Sequence, residues 1–269
     1  MQISINDARL REQKTIFTGE IKHPSSMLPS SFFFAALGAF LLGIAKSGVK
    51  GIAVFIVILF VYAFEAKAST GILLPLLIGG DIFAILYYKK YTQWKYVFIL
   101  IPWMFLGVIL GTYGGNLLTE NTFKTGMASL ILLTTLLLIY LERKPLKAVP
   151  KHWGFGSFLG ILAGFTTMIG NLAGAVTNIY FLAMRLPKNV FIGTSAYVFF
   201  IINIFKIPFH IWVWETIDLD SVKTSLQFFP FLALGLYVGV NLVKRINDEG
   251  YRKLILFLTA IGAVILLFR

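Results

Sequence analysis

Long apolar runs recur along the chain from Ser31 to Phe268, separated by polar breaks of only a few residues. A helix that crosses a bilayer needs about 20 predominantly apolar residues, and several runs approach or reach that length. Hydrophobic residues make up 58% of the 269 residues and charged residues only 13%, whereas a soluble domain has about 25% charged residues. Runs such as Ala128–Tyr140 are apolar on every face, which argues against the alternating polarity of a β-barrel. The sequence therefore predicts an all-α polytopic membrane protein.

Six runs are predicted to cross the bilayer completely: Ala66–Tyr88, Tyr96–Leu118, Phe123–Tyr140, Val190–Trp212, Val222–Val243 and Tyr251–Phe268. Two further segments, Ser31–Phe64 and Trp153–Met184, are too long for one span, and a break rich in small and polar residues interrupts each. Irregular backbone at membrane depth is tolerated only where it is buried in protein or lines a polar cavity. Each segment is therefore predicted to be a re-entrant helical hairpin with two arms of about 11–17 residues, shorter than a full crossing.

The basic residues between the spans favour this topology. If each broken segment crossed once, the 16 Lys and Arg residues between spans would divide 8 against 8. If each segment enters and leaves on one side, only Lys67, Lys124 and Lys223 fall on one face. The other 13 are Lys89, Lys90, Lys95, Arg143, Lys144, Lys147, Lys151, Arg185, Lys188, Lys244, Arg245, Arg252 and Lys253. The positive-inside rule then places the basic loops in the cytoplasm, in a bacterial inner (plasma) membrane.

Each half of the chain consists of one hairpin followed by three spans, and the halves insert with opposite orientations. Inverted repeats with broken helices near the midplane are a recurring transporter architecture. The expected organisation is a polar N-terminal tail (1–29), membrane repeat 1 (30–141), a basic cytoplasmic linker (142–152) and membrane repeat 2 (153–269). Two small-xxx-small patterns, Gly107/Gly111 and Gly235/Gly239, could serve internal packing or a homodimer interface.

The first break contains Lys46, Ser47, Gly48 and Lys50. A cation at membrane depth costs about 2.5–3.5 kcal/mol and is normally retained for pairing or for a substrate pathway. Half-helix N-termini beside the lysines would add a positive dipole end and free N–H groups, so the break is a candidate anion site. The alternative is that the tip reaches the interface and both lysines extend into water.

The second break supplies Thr166, Thr167, Gly170 and Asn171. Their hydroxyl, amide and backbone N–H groups can bind anionic oxygens or can simply cap the half-helices. Four more polar residues in the symmetry-related spans either complete the site or pack between helices: Ser69, Thr70, Thr194 and Ser195.

Asp81 lies well inside an apolar span, and Lys206 has a comparable depth in the other half. An intramembrane carboxylate can relay a proton and so couple transport to the proton gradient. It can equally form a structural ion pair with Lys46, Lys50 or Lys206, and pairing is the preferred interpretation. The chain has no cysteine, and its three histidines lack metal-ligand spacing, so neither a metal site nor a cofactor is expected.

Four stretches resemble the TauE/SafE family of sulfite-exporter-like permeases: Leu42-Gly-Ile-Ala-Lys-Ser-Gly-Val-Lys-Gly51, Ala68-Ser-Thr-Gly71, Gly160-Ile-Leu-Ala-Gly-Phe-Thr-Thr-Met-Ile-Gly170 and Ile192-Gly-Thr-Ser-Ala196. The family has a Gly-rich repeat near the start of each half, followed by a span containing Thr or Ser. Family members often carry a run of glycines where this chain has Lys46, Val49 and Lys50. The resemblance covers essentially the whole chain after Leu28 and implies transport of sulfite, a sulfonate or another small organic anion.

The expected function is therefore secondary transport of a small anion, sulfite or an organosulfonate, by alternating access around a midplane site. No Walker-type phosphate loop is present, which argues against ATP-driven transport. The alternatives are a passive anion channel and a carrier of a small organic carboxylate. An intramembrane enzyme would need a convergent acid, base and nucleophile, and a Ser47–Lys46 pair is too little, so no enzyme is expected. The net charge of +12 lies mostly in short loops, as membrane topology requires, so the expected partners are the anion and the lipid bilayer, not nucleic acid.

Overall fold

The computed structural model describes residues 28–142, 153–251, 253–255 and 257–258, which form only helices and loops. The first half contains α1 to α5: Pro29–Lys46, Ala53–Ala63, Ala66–Tyr88, Trp94–Asn116 and Glu120–Glu142. The second half contains α6 to α10: Trp153–Gly170, Ala173–Ala183, Lys188–Trp212, Leu219–Gln227 and Phe229–Lys244. A last helix, α11, begins at residue 248. The predicted all-α membrane fold is confirmed.

The first broken segment is a helical hairpin made of α1 and α2. Gly48 and Gly51 have φ values of 129° and 98°, a region that residues with a side chain rarely adopt. The helix therefore ends at Lys46 and the chain turns back through residues 47–52. The rings of Phe34, near the start of α1, and Tyr62, near the end of α2, have centroids 5.8 Å apart, so the two arms are antiparallel.

The second broken segment has the same form. α6 ends where Asn171 adopts a φ of 55°, a conformation that the short polar side chain of asparagine tolerates. The ring centroids of Phe155 and Tyr180 are 6.4 Å apart, so α7 also returns along its partner. The arms have 18 and 11 residues in both hairpins, and the first arms are thus slightly longer than expected.

The tips of the two hairpins lie near opposite ends of α3. The Tyr88 hydroxyl, at the C-terminal end of α3, donates a hydrogen bond to Ser47 O at 2.9 Å. The Asn171 Nδ2 atom donates to Thr70 O, near the N-terminal end, at 3.2 Å. The hairpins therefore enter from opposite directions, and the starts of their second arms meet, where a Cβ added to Gly174 would lie 3.9 Å from Ala53 Cβ. A full inverted repeat of the two halves stays a prediction.

Both small-xxx-small patterns mediate contacts between the two halves. α4 packs on α6, where a Cβ added to Gly107 would lie 2.1 Å from Ile161 O. α10 packs on α1, where a Cβ added to Gly235 would lie 1.9 Å from Phe40 O. Small residues permit this close approach of helix backbones. The glycines therefore serve internal packing, and a homodimer through another surface stays a prediction.

Within the described residues, four helices are long and apolar enough to cross a membrane, or five if the bent pair α9–α10 counts as one span. The four are α1, α3, α4 and α8, the last three at predicted spans. The first arm α1 also meets this length criterion, although the sequence predicted only a short arm. The predicted span Phe123–Tyr140 lies within α5 but is not among these helices. Tail residues 1–27, linker residues 143–152 and most of the last predicted span lie outside the described residues.

Candidate anion-binding site

A cavity of about 70 Å³ lies between the hairpin tips and helices α3 and α8. One water molecule needs about 10–15 Å³ of such space, so the cavity has room for about five waters or as many ligand atoms. Six polar or charged side chains line it: Lys46, Lys50, Thr167, Asn171, Asn178 and Asn203. The other lining residues are aliphatic or glycine, apart from Phe199. A mostly apolar cavity with a few convergent polar groups is typical of a small-molecule site.

Lys46 is neutralised by a carboxylate of the first half. Its Nζ atom lies 2.5 Å from Asp81 Oδ1, and both residues are buried. The other carboxylate oxygen, Oδ2, accepts a hydrogen bond from Asn203 Nδ2 at 2.8 Å. Each charged group therefore has a partner, which a buried ion pair requires if it is not to be strongly destabilising. Asp81 pairs with Lys46, one of its three predicted partners.

Lys206 binds the tip of the second hairpin instead of the carboxylate. Its Nζ atom donates to Thr167 O at 3.0 Å and to Asn171 Oδ1 at 2.5 Å. Thr167 lies in the last turn of α6, and its carbonyl oxygen also accepts a hydrogen bond from the Asn171 backbone N–H at 3.0 Å. The Lys206 ammonium therefore adds a second hydrogen bond to this oxygen at the negative end of the helix dipole.

Lys50 differs from both of these lysines. No described residue offers its Nζ atom a hydrogen-bond acceptor or an ion-pair partner, although the side chain is 7% exposed and lines the cavity. Its Nζ atom lies over the face of Phe199, whose ring centroid is 5.4 Å away. Such a cation–π contact contributes only about 0.5–2 kcal/mol. Among the described lining residues, Lys50 is therefore the lysine that has neither a carboxylate nor a hydrogen-bond partner.

The N-terminal residues of both second arms also line the cavity. They are Ala53 of α2, together with Ala173 and Gly174 of α7. Neither helix has a side-chain cap at its N-terminus. Backbone N–H groups in the first turn have no partner within a helix and carry its positive dipole end. The sequence predicted half-helix N-termini beside the lysines, and both hairpins supply one.

The hydroxyl groups predicted to bind the ligand mostly bond to their own helices. Five of them donate to the carbonyl oxygen three residues earlier: Ser47, Ser69, Thr70, Thr166 and Ser195. Thr194 Oγ1 accepts a hydrogen bond from the Gln93 backbone N–H. Gly48 O accepts a hydrogen bond from Tyr251, and Gly170 packs on Leu172. None of these eight residues lines the cavity. The cavity brings together the other four of the twelve predicted ligand residues, which are Lys46, Lys50, Thr167 and Asn171.

Three polar or aromatic lining residues were missed by sequence reasoning: Asn178, Phe199 and Asn203, whose amide donates to Asp81. Asn178 lies in the middle of α7, 3% exposed, and its Oδ1 atom has no hydrogen-bond partner. Phe199 contacts both Lys46 and Lys50. An asparagine inside an apolar arm was a usable signal, because a buried amide normally has partners. Nothing in the sequence distinguishes Phe199 from the other 25 phenylalanines.

The model of the sulfite exporter TauE/SafE family matches residues 25–266. The chain belongs to this family. No curated protein and no solved structure gives a significant match. Family membership and the apolar helices make the chain a multi-pass membrane protein of a transporter family. In this TauE/SafE protein, a lysine without a counter-charge and two uncapped helix N-termini converge on one cavity, an arrangement that can hold an anion.

Proposed function

We propose that this TauE/SafE protein is a secondary transporter that carries a small anion, sulfite or an organosulfonate, by alternating access. The cavity between the hairpin tips is its substrate site, and the basic loops face the cytoplasm of a bacterial cell. The protein moves its substrate across the inner membrane and does not transform it.

One observation supports this proposal above all: Lys50 lines the cavity without a counter-charge. An unpaired buried charge is costly. The other two buried lysines have partners, Asp81 for Lys46 and the α6 terminus for Lys206. An anion bound beside Lys50 would remove this cost and would add a charge-assisted hydrogen bond.

The first test removes the charge of Lys50. In the Lys50→Met variant we expect the affinity for sulfite and methanesulfonate to fall about 10- to 100-fold, because a hydrogen bond to a charged group contributes about 1.5–3 kcal/mol. Lys50→Arg should retain measurable binding, since it retains the charge. Binding is measured on purified protein in detergent as the ligand-dependent rise in melting temperature.

The matched control is Lys90→Met, because Lys90 is exposed outside the cavity. It removes the same net charge and should leave binding unchanged. Equal affinity in Lys50→Met and wild-type protein would reject the site.

Counterflow separates a carrier from a passive channel. Proteoliposomes loaded with unlabelled anion should transiently accumulate labelled anion above its equilibrium level, because an alternating-access carrier exchanges one substrate for another. A channel would equilibrate the label without this overshoot. Saturable exchange supports the proposal, and a linear flux without overshoot contradicts it.

A further inference from the structure

The cavity has two chemically different walls. The first three helices contribute an aliphatic wall of Leu42, Ala45, Ile56, Leu73 and Leu77. Helices α6, α7 and α8 contribute the polar side chains Thr167, Asn171, Asn178 and Asn203. Lys50 projects from the first tip, beside Phe199 of α8. The larger aliphatic lining side chains therefore come from the first half, the neutral polar ones come from the second half, and both lining lysines come from the first tip.

The polar side matches a head group with a single negative charge. Lys46 and Asp81 neutralise each other, which leaves Lys50 as the unbalanced ammonium among the described lining residues. The Asn178 amide has an unpartnered oxygen, and rotation of the amide exchanges its acceptor for its NH₂ donors. Lys50 and Asn178 can thus both donate to the oxygens of one anionic group.

The aliphatic wall matches a short hydrocarbon chain. A bare oxyanion in this cavity would place some of its oxygens against side chains that cannot donate hydrogen bonds, which is unfavourable. A methylene in the same position is removed from water, and its burial improves affinity about four-fold. With room for about five to seven ligand atoms in the cavity, a four-atom sulfonate head leaves space for about one to three carbons.

We propose that the preferred ligand is a monoanion with a short unbranched hydrocarbon tail of up to three carbons. The head binds Lys50 and Asn178, and the tail lies against Leu73 and Leu77. The tail therefore determines selection against inorganic oxyanions. This inference rests on the proposed function, because it concerns the ligand of the same site.

A homologous series tests the tail. The purified full-length protein is titrated with sulfite, sulfate and the linear sulfonates from methane- to pentanesulfonate, with propionate and butyrate as carboxylate counterparts. We expect affinity to rise about four-fold per methylene up to propanesulfonate and to fall for longer chains. Sulfite and sulfate should bind at least ten-fold more weakly than propanesulfonate. If burial of the tail determines affinity, butyrate should also bind more tightly than propionate.

A variant of the aliphatic wall tests the position of the tail. Leu77→Ala removes three carbons from the wall and should move the tightest-binding sulfonate to a chain one or two carbons longer. Leu76→Ala is the control, because Leu76 is buried on the same helix but does not line the cavity. That variant should lower the melting temperature without moving the optimum.

The possible results separate this inference from the proposed function. Affinity that is independent of chain length, or tightest for sulfite, would overturn the tail site while leaving an anion carrier. An unchanged optimum in Leu77→Ala would also overturn it. A fall in affinity of about 10- to 100-fold in Lys50→Met, with a normal chain-length optimum in wild-type protein, supports both proposals. If no anion of the series binds to wild-type protein, both fail.

Discussion

Lys46 and Lys50 lie four residues apart on one hairpin tip and contact the same ring. Their Nζ atoms lie 5.3 and 5.4 Å from the Phe199 ring centroid, but only Lys46 has a carboxylate partner. Lys46 therefore belongs to the structural framework of the site, and Lys50 is the cation available to a ligand.

The Lys46–Asp81 pair makes a prediction for stability. Asp81→Asn removes the counter-charge of a buried ammonium, and we expect the free energy of unfolding to fall by about 3–5 kcal/mol. Unfolding is followed by titration of the detergent-solubilised protein with denaturant.

The double variant Lys46→Met/Asp81→Asn should recover most of this loss, because it also removes the ammonium that Asp81→Asn leaves without its carboxylate. If the double variant is no more stable than Asp81→Asn, the pair does not stabilise the fold in this way.

Sequence reasoning identified the charged residues of the site better than its neutral ones. A lysine in an apolar segment is costly and therefore conspicuous. A serine or threonine hydroxyl can bond to its own helix or to a ligand, and only the structure distinguishes the two. Ser69 and Ser195 bond to their own helices, and Asn178, which sequence reasoning passed over, reaches the cavity.

At the scale of helices, the contacts between α1 and α10 depend on the absence of side chains. A Cβ at Gly43 would lie 2.2 Å from Leu232 O, and one at Gly235 would lie 1.9 Å from Phe40 O. The carbonyls belong to helix backbones and cannot move without moving the helices.

Substitution of these glycines should separate the helices. Gly235→Ala should destabilise the protein by about 1–3 kcal/mol or more, the usual effect of overpacking a close contact. The measurement is the melting temperature in detergent.

Gly114→Ala is the matched control, since its Cβ would have only Phe165 Cε2 within 4 Å, at 3.9 Å. Alanine is the better helix former by about 1 kcal/mol, so this variant should be as stable as wild type or slightly more so. Equal melting temperatures for the two variants would contradict the close packing.

Helix breaks were predictable where glycines or polar residues marked them, but one was missed. The predicted span Val222–Val243 bends by 44° between α9 and α10. Pro230 at the start of α10 cannot donate a backbone hydrogen bond and its ring displaces the preceding turn. The signal was present in the sequence, but its apolar surroundings favoured a continuous helix.

At the scale of the whole molecule, the loop charges predict which side of the membrane each loop faces. Lys90 lies on the basic face and Lys223 on the opposite face, and both are exposed. The chain contains no cysteine, so one introduced cysteine gives an unambiguous label.

An impermeant maleimide is added to intact bacterial cells, after removal of the outer membrane where one is present. We expect it to label Lys223→Cys but not Lys90→Cys. Both should react after lysis, and the cysteine-free parent should not react. Labelling of both sites in intact cells would contradict the topology, because it would place both loops outside.

The reciprocal packing of the two halves has a consequence for biosynthesis. The ribosome completes α4 before α6, so the glycine face of α4 enters the membrane before its complementary helix has been translated. The face of α1 remains uncovered for longer, until α10 has been made. Neither half can therefore reach its final packing alone, and chains separated within residues 143–152 should assemble only when both are expressed together.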